Sequence, residues 1–306
     1  MSDIRVIATD LGFPEGPVAM ADGSIVLTEI ERQTITRILP DGRTEIIAHT
    51  GGGPNGLAVG PDGAFYAANN GGFSWRLEHG LFRPAGPSAD YTSGSIQRVD
   101  PATGKVETLY DNCNGHKLRG PNDLVFDTNG GFYFSDLGKS RARDRDHGGL
   151  YYALADGSKI IEVAYPILTP NGVGLSPDGT TVYVAETETA RLWAFDLTEP
   201  GVARKQPFPS PHGGRLIAGL GGYQRLDSLA LDALGNICVA TLITGAITSI
   251  APDGRIVSQV KMPDPVTTNI CFGGPDLRTA YVTLSGTGKL VALEWPEAGL
   301  KLNHNA

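Results

Sequence analysis

The sequence predicts an all-β chain folded as a six-bladed β-propeller, with four antiparallel strands per blade. Three observations lead to that expectation. A polar residue, a short apolar run and a turn glycine recur in phase along the chain. Each copy is followed by further runs rich in β-branched and aromatic residues. The 41 glycines and 21 prolines are spread at regular intervals and do not gather into a linker, so residues 1–306 are read as a single domain.

The copies open at Glu15, Asn55, Asn122, Asn171 and Asp227, and each reaches its turn glycine eight residues later, at Gly23, Gly63, Gly130, Gly179 and Gly235. A looser sixth copy opens at Asn269 and carries Leu277 where the others have glycine. Strand-like runs around Asp-Gly or Asn-Gly are a strong local hairpin signal. Outer strands follow: TITRIL and TEIIA after the first copy, SIQRVD and KVETLY after the second, GLYYAL and KIIEVA after the third, AITSIA and IVSQVK after the fifth. Four strands in roughly fifty residues is the content of a propeller blade. The sixth unit shows three strands, ending at KLVALEW, and the N-terminal run DIRVIA is expected to supply the fourth and close the ring.

Composition narrows the function. A net charge of −8 argues against a nucleic-acid partner. No apolar run approaches the length of a membrane span, and the N-terminal residues lack a secretory leader, so a cytoplasmic location is expected. Cys113, Cys238 and Cys271 are odd in number and lack metal-ligand spacing; they read as buried thiols.

The first strand of each blade lines the central channel of a propeller. The residue opening each copy therefore stands at one mouth, where Glu15, Asn55, Asn122, Asn171, Asp227 and Asn269 converge. A ring of carboxylates and carboxamides suits one hard divalent cation. Asn and Asp are also ordinary turn residues, but Glu15 has little turn preference and Asp227 is preceded by Leu226 instead of proline, which a turn does not explain. Calcium, zinc, manganese, magnesium and ferrous iron all tolerate such donors.

Strand direction makes the loops between second and third strands overhang that mouth: about residues 71–94, 137–148, 186–190 and 242–246. The first and longest holds Phe73, Trp75 and Arg76 and is expected to act as a lid or specificity element. The second, KSRARDRDHGG, either meets an anionic or polyhydroxylated substrate or pairs its own charges.

The segments FPEGPV, GPNDLVFDTNGGFYFSD, TPNGVGLSPDGTTVYVAET, LDSLALDALGNICVAT and TTNICFGGPDLRTAYVT resemble the SMP-30/gluconolactonase/LRE-like family over nearly the whole chain. The resemblance implies a six-bladed propeller and a divalent ion held by Glu15, Asn171 and Asp227, with Asn122 as either a fourth ligand or a substrate contact. It implies hydrolysis of a small lactone. Sugar-lactone members usually carry arginine two residues before the position of Asn122, which here is Gly120; the nearest arginine is Arg119. With the aromatic residues of the first overhanging loop, Phe73 and Trp75 among them, a more apolar or aryl lactone becomes a candidate beside a sugar lactone. Asp227 is the expected catalytic residue, activating or orienting the attacking water, and Asn122, Asn55 and Asn269 are expected to orient substrate. A phosphotriesterase-like hydrolase using the same ion, a strictosidine synthase-like condensing enzyme and a non-catalytic binding propeller are the alternatives.

Overall fold

The computed structural model describes residues 3–305, and its regular structure is entirely β. Six sheets correspond to the six sequence copies. Blade I comprises Pro14–Ala19, Ile25–Glu29, Thr34–Ile38 and Thr44–His49. Blade II comprises Pro54–Val59, Phe65–Asn69, Ser95–Val99 and Val106–Tyr110. Pro121–Phe126, Gly131–Asp136, Gly148–Leu154 and Ile160–Ile167 form blade III. Blade IV is built from Pro170–Leu175, Thr181–Glu186, Arg191–Glu199 and Arg215–Gly219, with a two-residue strand, Val202–Ala203, beside the end of the third. Blade V runs through Arg225–Leu231, Ile237–Leu242, Ala246–Ile250 and Ile256–Lys261. Blade VI takes Thr267–Gly273, Thr279–Leu284 and Lys289–Glu294 from the end of the chain, and its outer strand, Arg5–Ala8, from the beginning. The expected N-terminal closure is therefore present.

The turn that reverses each inner strand needs a left-handed residue. The five turn glycines have φ between 69° and 83°, and Leu277, at the same place in the sixth copy, adopts φ 58°. The repeat thus survives in backbone conformation where it has lapsed in sequence, although a Cβ there costs about 1–2 kcal/mol.

The hydrophobic core is six clusters, one at each junction between neighbouring blades. Tyr66, Phe126, Phe132 and Phe134 dominate the junction of blades II and III, and Val184, Trp193 and Tyr152 that of III and IV. The junction of blades VI and I is the smallest, built on Leu11, Ile25, Leu27, Ile38 and Leu290. Sheets packed face to face around a ring leave every large inner face covered.

The C-terminal segment passes beneath the far end of the channel. Leu300 N donates to Leu231 O, Asn303 Nδ2 donates to Phe126 O, and His304 packs edge-on against Phe126. Between this segment and the inner strands lies a mainly apolar cavity of about 520 Å³.

Candidate active site in the central channel

All six inner strands are irregular at the same place. Pairing with the second strand slips between Glu15 and Val18, Pro54 and Leu57, Pro121 and Leu124, Pro170 and Val173, Leu226 and Leu229, and Thr267 and Asn269. A bulge re-aims a side chain, and here it does so at or beside each residue that opens a sequence copy. The inner strands also nearly touch. A Cβ on Gly16 would lie 2.4 Å from Asn55 O, on Gly56 2.6 Å from Asn122 O, and on Gly172 2.8 Å from Asp227 O. Glycine after Glu15, Asn55 and Asn171 is what permits this close approach. Hydroxyls of second strands fasten the ring from behind. Thr28 Oγ1 donates to Asn55 O at 2.6 Å, Ser285 Oγ to Pro14 O at 2.5 Å, and Ser135 Oγ to Asn171 O.

Glu15, Asn55, Asn122, Asn171, Asp227 and Asn269 are all buried. Glu15 Oε2 accepts from Asn269 Nδ2 at 3.0 Å and from Gly16 N at 3.2 Å. Asn171 donates through Nδ2 to Thr187 Oγ1 at 3.1 Å and accepts from Ser228 Oγ at 3.4 Å. Burial pushes Glu15 up to about 7, against the hydrogen bonds from Asn269, Thr268 and Gly16 that favour its charged form. Burial raises Asp227 well above the usual carboxylate range, repulsion from Glu15 and Asp123 adds to it, and hydrogen bonds from Asn171 and Ser228 oppose it.

Among the described residues no three His, Cys, Asp or Glu side chains group as a metal centre. A cation in this channel would have to use carboxamide oxygens beside the acids. Two such oxygens, Asn55 Oδ1 and Asn122 Oδ1, are buried without any hydrogen-bond partner. A buried acceptor left unpaired costs about 1–3 kcal/mol, and so does keeping acids in a dry channel without a counter-charge. Both costs are relieved by one hard cation, so the residues present fit the group that the sequence implies.

Sequence reasoning missed Asp123. It occupies the position held by Gly16, Gly56 and Gly172 in other copies, is buried, and accepts from Leu124 N at 2.9 Å and Val173 N at 3.4 Å. Burial pushes it up to about 7, with Glu15 adding repulsion. An acid where three of the other five copies carry glycine, and the remaining two Ser228 and Ile270, was the available signal.

The segment over the mouth differs from its sequence reading. Residues 71–94 are not an irregular loop but carry a β-hairpin, Phe73–Glu78 paired with Leu81–Pro87. It leaves blade II and reaches two others: Trp75 packs 5.0 Å from Phe13, two residues before Glu15, and Phe82 N donates to Gly286 O at 2.9 Å. Phe73 and Trp75 share one face, with ring centroids 6.0 Å apart. Arg76 does not join them. Strand alternation places it on the opposite face, where it pairs with the neighbouring Glu78 at 3.3 Å.

Arg119 is exposed, and its backbone is what the fold uses. Its N–H donates to Asp136 Oδ2 at 2.6 Å, and its carbonyl accepts from Tyr91 OH at 2.7 Å. Gly120 is held by packing, since a Cβ there would lie 2.7 Å from Gly138 O. In this backbone an arginine at 120 would collide with the neighbouring loop. The charged loop pairs its charges partly within itself, where Arg141 bonds Asp144 and Asp146, and partly with the next overhanging loop, where Arg145 bonds Glu188.

Comparison with known proteins agrees with the fold. The model of the SMP-30/gluconolactonase/LRE-like region matches residues 13–286. The chain belongs to this family. It is 28% identical to a gluconolactonase of Zymomonas mobilis over 88% of this chain and 76% of that protein. A lactonase of Staphylococcus saprophyticus is 28% identical over 81% of this chain and 69% of its own length. Among solved structures, the calcium-binding protein regucalcin of Agrobacterium tumefaciens superposes with a TM-score of 0.75 at 20% identity, covering 98% of both chains. Members of this family thus share the propeller whose channel is described above.

Proposed function

We propose that the chain, as one propeller domain, hydrolyses a small lactone at the channel mouth with one divalent cation bound among Glu15, Asn171, Asp227 and Asn122. The observation that carries this reading is the pair of unpartnered carboxamide oxygens on Asn55 and Asn122 beside two uncompensated acids. The names of the relatives, gluconolactonase and lactonase, support the ester class. The calcium-binding neighbour supports a cation.

When bound, the cation polarises the ester carbonyl and offsets negative charge that develops on its oxygen. The remaining work belongs to the chain. Asp227 accepts a hydrogen bond from the attacking water and orients it towards the carbonyl carbon. With a cation beside it the carboxylate would be held ionised, so its role is to accept that hydrogen bond and fix the direction of attack. Glu15, held by Asn269 and Gly16, supplies charge and stays in place. Asn55 and Asn122 orient substrate or water through their amides. The hairpin excludes solvent above the ring, with Trp75 seated on Phe13.

The mouth favours a lactone with an apolar body over a polyhydroxylated one. Glycine at 120 removes the arginine that sugar-lactone members usually carry. Phe73 and Trp75 present aromatic surface nearby. The test is hydrolysis of gluconolactone, xylonolactone, dihydrocoumarin and an acyl-homoserine lactone by chelator-stripped and cation-reconstituted protein. Cation-dependent turnover, greatest on dihydrocoumarin, is expected. Absence of turnover on every member by protein that binds a cation would overturn the lactonase reading.

A further inference from the structure

Lys139 has no role in the chemistry above, yet it is one of the most deeply buried side chains in the protein, with 1% of its surface exposed. It follows the second strand of blade III and reaches across to blade II. Its Nζ donates to Gly72 O at 2.8 Å and to Asn70 Oδ1 at 3.0 Å. The same ammonium lies 3.7 Å from the ring centroid of Phe73 and 5.1 Å from that of Tyr91. Gly72 and Phe73 are the root of the hairpin over the mouth, and Tyr91 follows its second strand. One charge therefore touches both ends of the hairpin.

No carboxylate pairs with this ammonium among the described residues. Burial pushes the ammonium down to about 7, opposed by the charge of Asp136, which itself spends its oxygens on the N–H groups of Arg119, Gly120 and Gly138. Burying an unpaired ammonium is expensive, and a methionine would fill the same volume without that cost. What methionine lacks is the ability to bind a carbonyl, an amide oxygen and an aromatic face together. The charged loop has its use here. Lys139 O accepts from Asp146 N at 2.9 Å and from Arg141 Nη1 at 3.3 Å, and Arg141 is clamped by Asp144 and Asp146. The loop braces the lysine, and the lysine braces the hairpin.

We propose that Lys139 is a positioning residue, fixing the root of the Phe73–Pro87 hairpin so that its aromatic face stays over the ring and determines how tightly the ester binds. This rests on the lactonase reading of the channel. It predicts an effect on substrate binding and not on cleavage of the bound ester.

The test compares wild type with K139M and N70A, the second removing one acceptor and serving if K139M does not fold. Limited trypsin digestion reads the hairpin directly, because the Arg76–Leu77 bond lies on it with the arginine side chain 65% exposed. Both variants should be nicked after Arg76 about ten-fold faster, with KM on the preferred lactone raised about ten-fold and kcat within about two-fold of wild type. K139R, which keeps the charge, should recover part of the KM. Unchanged nicking with unchanged KM would overturn the proposal, and so would a fall in kcat at constant KM. If wild type hydrolyses no lactone, the functional reading fails separately, and nicking alone then decides whether Lys139 holds the hairpin.

Discussion

Asn269 Nδ2 donates to Glu15 Oε2 at 3.0 Å across 254 residues of sequence, joining the last blade to the first at the channel mouth. The bond is a charge-assisted one and favours the ionised carboxylate.

Replacing Asn269 by leucine should therefore raise the affinity of Glu15 for protons and weaken cation binding. A lost hydrogen bond to a charged group is worth about 1.5–3 kcal/mol, or about a ten- to hundred-fold loss of affinity. Calorimetric titration with calcium or manganese should show the deficit to be larger at pH 6 than at pH 8.

The buried acids of the channel give the stability of chelator-stripped protein a definite pH dependence. Glu15 and Asp123, each about 7 in the folded chain, bind protons more tightly there than in the unfolded chain. Their contribution is fully present below about pH 4 and is lost as pH rises through 7. Chelator-stripped protein should lose melting temperature between pH 5 and 8 from this contribution. A divalent cation should restore it at pH 8 and have little effect at pH 5. A flat difference between stripped and loaded protein across that range would contradict the arrangement.

Asp227→Asn removes the carboxylate proposed to orient the attacking water but keeps its shape. Hydrolysis should fall by a factor of about 10²–10⁴, with an unchanged circular dichroism spectrum. At pH 8 the stripped variant should melt higher than stripped wild type, since one uncompensated acid has gone from the channel.

Trp75→Ala tests the hairpin face. The KM for dihydrocoumarin should rise about ten-fold or more, as expected for about 1–3 kcal/mol of lost apolar contact. The KM for gluconolactone should change less. Equal effects on both would show that Trp75 does not discriminate between them.

Gly56→Ala tests the close approach of the inner strands. The new Cβ would meet Asn122 O and Asp123 Cα, both at 2.6 Å. Overpacking against backbone should cost about 1–3 kcal/mol or more, measurable by urea denaturation, and should disturb cation binding through the displaced Asn122.

Much of this was legible in the sequence because the blade repeat couples local turn chemistry to position in the ring. The eight-residue offset gave the hairpins, and the residue opening each copy gave the channel ring. What escaped reading lacks that coupling. The hairpin at 73–87 carries Pro84, Gly86 and Pro87 and no clean alternation, so its strands looked like loop. Arg76 and Trp75 were grouped because they are adjacent, but adjacent residues on a strand face opposite ways. Asp123 was hidden beside the more conspicuous Asn122. Lys139 looked like one charge among many in a solvated run, and only the fold brings it under Phe73 and Tyr91. The clash that keeps Gly120 a glycine arises from Gly138, eighteen positions on, and has no local signature.

The pairing of Arg5–Ala8 with Lys289–Glu294 has a bearing on how the site comes into being. A circle of sheets has no partial version of its centre, and Glu15 gains Asn269 only when the first and last blades meet. Chain lacking its final blade, as during synthesis, would hold most of the ring residues but not the ring. The site proposed for the cation is therefore completed late and abruptly, and loss of the seam between first and last blades should dismantle it just as abruptly.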